Sequence, residues 1–202
     1  MGGKAFSKDM KNRQTSIKMK YAPLLALALL TTLLHTSCEE QVAAVANQPD
    51  PFFDLEAYIE EQISDLNQKQ PKVRKTISVE GQKETQQFDS LDYRTELKTF
   101  LNSDINRKAW IDKYKADSTF EGSQLRQVTY KATGEDLKTR LLRVQYEQGK
   151  VSDIYIENRT NSLVADVRQD LHFQPGQGYR LVTTQETVLS EKQEIEVEAK
   201  WQ

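Results

Sequence analysis

From residue 50 onward the chain predicts an α+β domain: an N-terminal helix, a β-hairpin, a helical segment, then a six-stranded antiparallel meander forming a curved sheet packed on the helices. Three observations predict it. Apolar residues recur at spacings of three and four between residues 52 and 66, the period of a helix that buries one face. The stretch KVRKTISVE, residues 72–80, alternates apolar and polar side chains, the period of a half-buried strand. From Ser123 to the end, strand-like segments follow one another through short turn signals, which makes neighbours antiparallel.

The elements justify themselves in order. Asp50-Pro51 suits a helix start, because Asp accepts from the free amides of the first turn and Pro fits the first helical position. Phe52, Leu55, Ile59, Ile63 and Leu66 then form one stripe, with Glu56, Glu60, Glu61 and Asp65 off it, and the pattern stops before Pro71. In the hairpin, Val73, Ile77 and Val79 share one face; Gly81-Gln82 marks the turn, and KETQQF returns as a weaker strand. Helical spacing resumes near Leu91, with Tyr93, Leu97, Phe100 and Leu101 on the apolar side and Asp89 or Ser90 as cap. After the interruption at Asn102-Ser103-Asp104, Ile105 to Tyr114 reads as a further short helix with Trp110 and Tyr114 on one face. The six strands are Gln124–Ala132, Lys138–Tyr146, Val151–Asn158, Leu163–Phe173, Gly178–Thr187 and Lys192–Trp201. In the last, Ile195, Val197 and Ala199 alternate with Glu194, Glu196, Glu198 and Lys200, which predicts one buried face and one wet face.

The first 37 residues have a different character. Lys4, Lys8, Lys11, Arg13, Lys18 and Lys20 oppose the single acid Asp9, and the apolar run YAPLLALALLTTLL follows, about 14 residues long. That is short of the roughly 20 residues a spanning helix needs, and it matches a secretory signal peptide. Met19 is an alternative start, since MKYAPLLALALL is already complete as a signal. The segment ends HTSC, then EE. Ser37-Cys38 after a Leu-rich run resembles the lipobox of bacterial lipoproteins, with His35 where leucine is common and Leu34 one step earlier, the looser form seen in Bacteroidota. The resemblance covers only the signal and Cys38. It implies that the Cys38 thiol receives a diacylglyceryl group and that cleavage leaves Cys38 as the first mature residue. Two or more acyl chains attach a protein stably to a bilayer. Glu39 and Glu40 are similar to a surface-sorting signal of such lipoproteins, or else begin a solvated linker. Residues 39–49, EEQVAAVANQP, have no period and read as a tether. The expected organisation is residues 1–37 signal peptide, 38–49 lipidated cysteine and tether, and 50–202 a single domain. The general look of the domain, with FFDL near its start and DINRKAW in the middle, also resembles uncharacterised Bacteroidota envelope lipoproteins.

Composition bounds the function. Residues 1–37 carry six cations and one anion; with a net charge of −2 for the whole chain, residues 38–202 carry −7. An acidic domain lacks the basic surface that displaces counterions from nucleic acid, so no nucleic-acid partner is expected. Cys38 is the only cysteine, and His172 is the only histidine after residue 37. A disulfide, a cysteine nucleophile and the usual zinc arrangements are therefore absent.

No other constellation is singled out for chemistry, and the many acids leave a carboxylate pair open without marking two of them. A Ser-His-Asp arrangement would have to use His172, with Asp170 two residues away, but no G-x-S-x-G surrounds any serine. His172 lies between Leu171 and Phe173 and should point to the polar side of its strand. Asp104, Asn106 and Asp112 suggest a calcium loop, yet the glycine and terminal glutamate are missing, so they read as a helix start with a solvated face. Glu194, Glu196 and Glu198 read as a wet outer face. No phosphate-cradling glycine motif occurs, and no cofactor is expected. The aromatics Trp110, Tyr114, Phe120, Tyr130, Tyr146, Tyr155, Phe173 and Tyr179 fill a core or line a cleft, core filling being the more ordinary role.

These readings describe a lipid-anchored protein of the cell envelope, at the outer membrane, acting as a non-enzymatic binding module. Its partners are the membrane, through lipid on Cys38, and a hydrophobic ligand or an envelope protein. A curled sheet with helices across its mouth would be similar to periplasmic carriers of lipids or lipoproteins. The carrier form predicts a dry apolar cavity between sheet and helices. An interaction or scaffold subunit predicts an exposed apolar patch instead. A hydrolase requires two convergent carboxylates in a cleft, at least one with a perturbed pKa.

Overall fold

The helix start expected at Asp50-Pro51 falls four residues later. Asp54 accepts a hydrogen bond from the Ala57 amide at 2.8 Å, and helix α1 runs Leu55–Lys69. The computed structural model describes residues 51–202. The signal, Cys38, the tether and Asp50 lie outside the described residues. In α1, Leu55, Ile59, Ile63 and Leu66 are buried, as the stripe requires. Burial of such side chains is worth roughly 2 kcal/mol each, and this face supplies most of what holds so short a helix. Phe52 stays outside the helix and packs edge-on against Tyr114 and Tyr130, at 5.8 and 5.4 Å between ring centroids.

Strands β1 (Val73–Val79) and β2 (Gln82–Phe88) form the expected hairpin. The helical segment is broken into α2 (Tyr93–Glu96) and α3 (Lys98–Leu101). The α2 cap is Asp92, which accepts from the Thr95 amide at 3.2 Å and the Thr95 hydroxyl at 2.7 Å, not Asp89 or Ser90. Residues 105–114 are not a continuous helix. A single 3₁₀ turn, Lys108–Trp110, is followed directly by strand β3 (Tyr114–Glu121), so Trp110 and Tyr114 do not share a helical face. The Arg107 guanidinium lies over the Trp110 ring at 4.5 Å. Six further strands follow: β4 (Gln124–Ala132), β5 (Thr139–Glu147), β6 (Lys150–Asn161), β7 (Ala165–Gln174), β8 (Gly178–Thr187) and β9 (Ser190–Trp201).

The fold class expected from sequence is corrected here. The sheet is not a six-stranded meander beside a separate hairpin. All nine strands belong to one antiparallel sheet in the order β2-β1-β9-β8-β7-β6-β5-β4-β3, and it does not close. Two features produce the difference. The edge strand β3 buries only Tyr114, so it has no apolar alternation to announce it. The hairpin joins the far end of the chain, because β1 pairs with β9 from Val73↔Trp201 to Val79↔Ile195.

The register defines two faces. On the helix side, one row crosses the sheet through Lys75, Ala199, Tyr179, Phe173, Ile154, Val144 and Val128. A second row holds Ile77, Val197, Leu181, Leu171, Ile156, Leu142 and Tyr130. The helices pack here through Tyr93 on Trp201 and Phe100 on Phe173 and Tyr179. Polar contacts pin them. Lys75 Nζ donates to both Glu96 oxygens, at 2.9 and 2.8 Å, and the Tyr179 hydroxyl donates to the same carboxylate. Burial and then that carboxylate push the Tyr179 hydroxyl far above its ordinary pKa. Ser103, after α3, accepts from Asn158 at 2.8 Å through its hydroxyl and from Thr139 at 3.1 Å through its carbonyl.

Gly178, which opens β8, has φ +149° and lies so close to β9 that a Cβ there would stand 1.9 Å from the Ala199 carbonyl oxygen. Gly149, in the β5–β6 turn, has φ +77° with open space around it. Gly178→Ala is expected to cost on the order of 3 kcal/mol, from strain and clash together. Gly149→Ala should cost only about 1 kcal/mol, from the left-handed conformation alone. Urea unfolding midpoints of the two variants check this order.

Candidate functional site

Helices α1 to α3 cover the helix-side face only in part. Toward β1, β9 and β8 they leave an apolar strip: Ile77, Val79 and Ile195 are exposed, and Leu181 and Val197 are half-buried. The strip exists because β1 and β9 bring their alternating apolar positions side by side, Ile77 opposite Val197 and Val79 opposite Ile195.

Beyond the strip the sheet runs on into a projection. β1 ends at Val79 and β5 begins at Thr139, and both lie on one level with Ile195, Thr183, Gln169 and Asn158. Strands β6 to β9 go on past that level, by three residues to Asn161 in β6 and four to Thr187 in β8. Lys138 and Glu80 still bond one residue past that level, to Arg159 and Glu194, so at about 3.4 Å per residue the four-stranded tongue stands roughly 7 Å or more beyond its neighbours. The paired helix-side positions of the tongue include Thr160, Val167, Gln185, Thr187, Ser190 and Gln193, none of them ionisable. Its two turns carry Leu163 and Val164, and Val188 and Leu189, which are 98%, 62%, 71% and 96% exposed. The turns are joined, because the Val188 amide donates to the Val164 carbonyl at 3.2 Å. Each is stiffened from within. The Ser162 hydroxyl accepts from the Ala165 amide at 3.0 Å, and the Thr187 hydroxyl accepts from the Ser190 amide at 3.0 Å.

The outer face is polar. The sequence places His172 there, between Leu171 and Phe173, and its ring meets Tyr155 at 4.6 Å. The Tyr155 hydroxyl lies 3.0 Å from Glu157 and 2.9 Å from Asp170, two acids paired across β6 and β7, and Arg168 donates to Asp170 at 3.2 Å. Burial and these two acids push the Tyr155 hydroxyl well above its ordinary value. Asp170 thus engages Tyr155 and Arg168 rather than the imidazole, so no Ser-His-Asp relay is assembled among the described residues. Glu196 accepts from Arg180 at 2.6 Å and Glu198 pairs with Lys200 at 2.9 Å on this same face.

The Asp104-Asn106 pair does different work from either reading of the sequence. Asp104 is buried, accepting from the Leu55 amide at 3.2 Å and the Asn106 amide at 2.8 Å. Asn106 accepts from the Phe52 amide at 3.3 Å and donates to the Phe53 carbonyl at 3.0 Å. The two side chains hold the chain at its entry into α1. Asp112 is not part of this knot. Among the described residues no group of three or more histidines, cysteines or acids is arranged to hold a metal ion.

Two clefts among the described residues are open, the first lined mainly by polar groups and the second by polar groups together with Tyr179, Ala199 and Trp201. One of about 520 Å³ lies between Glu56, Glu60, Arg94, Lys98, Asp104 and Arg107. Another of about 510 Å³ lies at the β7–β8 turn, beside His172, Gln174, Arg180, Glu198 and Lys200. Between helices and sheet the volume is filled by Leu55, Ile59, Phe100, Leu142, Ile156, Leu171 and their neighbours. Of the sequence's aromatics, Tyr114, Tyr130, Phe173 and Tyr179 are core; Trp110 and Tyr146 pack against it; Tyr155 is on the outer face; Phe120 is exposed. The exposed turns were not among the candidate residues. Their signal is Val188-Leu189 between Thr187 and Ser190, an apolar pair where a turn ordinarily carries Gly, Asn or Asp. No helix among the described residues is long and apolar enough to cross a membrane. No protein-family model, no curated protein and no solved structure matches the chain.

Burial raises the Asp104 carboxyl above 3.8, against the lowering effect of the amides it accepts from. The folded chain therefore holds this proton to a higher pH than the unfolded chain, and stability declines as pH rises from 3.8 through the folded value, then levels. Asp104→Asn is expected to flatten that decline in chemical unfolding across the acid range. Asp104→Ala, which leaves two amides without an acceptor, should cost about 2 kcal/mol or more at neutral pH.

Proposed function

We propose that the chain is a membrane-anchored envelope lipoprotein whose domain is a non-enzymatic binding module, working through an open surface as an interaction subunit. The anchor is lipid on Cys38, at the outer membrane. The observation that carries the binding reading is the apolar strip formed by exposed Ile77, Val79 and Ile195 beside half-buried Leu181 and Val197. Contiguous exposed apolar surface marks interaction sites, and the helices would have covered this part of the sheet had it belonged to the core.

The packed interior favours an interaction subunit over an enclosed carrier of a hydrophobic ligand. A carrier needs a cavity in which most of the ligand is hidden, and the helix–sheet interface is occupied by side chains. An acid-pair hydrolase is supported less well. Glu157 and Asp170 converge on the Tyr155 hydroxyl on the outer face, yet neither lines the cleft beside Tyr155.

Mass spectrometry of the mature protein tests the anchor, with an N-terminal, acylated Cys38 expected. A chain that begins at residue 1, or an unmodified Cys38, overturns it. Photo-crosslinking in intact cells tests the surface. A photoreactive residue at Ile77 or Ile195 is expected to yield discrete protein adducts in the envelope fraction, while one at Arg74, on the outer face, yields none. Equal adducts at all three positions, or none at the strip, remove the interaction reading.

A further inference from the structure

We infer that the tip of the tongue, Leu163, Val164, Val188 and Leu189, enters the interfacial region of a lipid bilayer. This assignment rests on the proposed Cys38 anchor and names the second point at which the domain meets the membrane. Four large apolar side chains sit together on two adjoining turns, fully or largely in water. Singly exposed apolar residues are ordinary; a joined group of four at the apex of a projection is not. The polar side chains in these turns, Ser162, Thr187 and Ser190, are tied to the turn backbone or to each other, so the apolar ones are what the turns present outward.

Three observations favour a bilayer over a protein as occupant. The first is direction. Phe52 and Phe53 enter beside Tyr130 and Tyr114, where β4 ends and β3 begins. That is the end of the sheet from which the tongue projects, and α1 then runs to the opposite end, where Val73 opens β1 beside Trp201. A tether leaving residue 51 toward the membrane thus leaves from the tip's own end. The second is reach. The twelve residues after Cys38, 39 to 50, span at most roughly 40 Å when extended, so a lipid on Cys38 holds that end within this distance of the bilayer. The third is size. Four side chains on two turns fall far short of the roughly 800 Å² per partner that a stable protein interface buries, but a shallow apolar insertion adds directly to an acyl anchor.

Charge sets the lipid class. Segments 159–168 and 184–194, the flanks of the tip, carry three cations (Arg159, Arg168, Lys192) and four anions (Asp166, Glu186, Glu191, Glu194). There is no basic collar to select anionic lipid, so insertion needs only a neutral, zwitterionic surface.

The experiment uses the full lipidated protein. Acylation blocks Cys38, the only cysteine, so Leu189→Cys leaves one free thiol for an environment-sensitive fluorophore. Lys150→Cys, at the opposite end of the sheet, serves as control. Each is reconstituted into phosphatidylcholine vesicles, with and without bromine on the acyl chains. The label at position 189 is expected to shift to the blue in vesicles and to lose emission to the brominated chains, and the label at 150 to do neither. With Cys38 acylated by mass, a label at 189 that stays in water, or one that matches the label at 150, overturns the inference and leaves the anchor standing. A blue shift in detergent before lipid is added, growing with protein concentration, assigns the tip to a second copy of the chain and also overturns it. An unacylated Cys38 overturns the anchor itself, and with it the orientation on which the tip assignment depends.

Discussion

The pairing of β1 with β9 is the constraint on which the rest of the molecule depends. Seven residue pairs, from Val73↔Trp201 to Val79↔Ile195, join strands separated by more than a hundred residues of chain. Without it the meander would end on β9 as an edge, and the hairpin would be an isolated two-stranded ribbon, which is marginal in water. With it, α1 is drawn across the sheet, since its first turn is held near β3 and β4 and its last leads into β1. The Lys75–Glu96–Tyr179 contact ties α2 to the same seam from both sides, Lys75 coming from β1 and Tyr179 from β8. Forming the seam requires closing a loop that spans nearly the whole domain, a step that non-local sheets pay in folding rate.

The legible parts of the fold are those whose signal is local. The α1 stripe, the KVRKTISVE alternation and the six strands from Gln124 onward each carry a period that is readable within a few residues of sequence, and each element is present. What was not legible depends on partners distant in sequence or on the absence of burial. Tyr114–Glu121 is a strand because β4 pairs with it, but outside Tyr114 its side chains meet water and leave no pattern. Trp110 and Tyr114 mimic helical spacing, while Trp110 sits in a 3₁₀ turn and Tyr114 opens β3. Asp54 competes with Asp50 as a cap, and Asp92 with Asp89 and Ser90, within a few residues, where propensity alone does not choose.

The site divides in the same way. The polar orientation of His172 follows from strand alternation, and the wet row of Glu194, Glu196 and Glu198 follows likewise. The strip does not, because whether Ile77 and Val197 are core or surface depends on how far the helices reach, not on their own strand. Asp104 and Asn106 resembled part of an ion-binding loop in spacing. They are instead matched donor for acceptor with the backbone of residues 52–55, a use of short polar side chains that spacing does not distinguish from ligation.

The sheet does not close, and β2 and β3 are its two free edges. β2 shows water Gln82, Lys83, Glu84, Thr85, Gln86 and Gln87 in succession, and β3 is bent by a register shift between Thr119 and Phe120. Charged and irregular edges deny a second sheet a flat template for hydrogen bonding. Two copies of this nine-stranded open sheet that meet at high local concentration can pair only through these edges. Such edges leave association to side chains and not to backbone polymerisation.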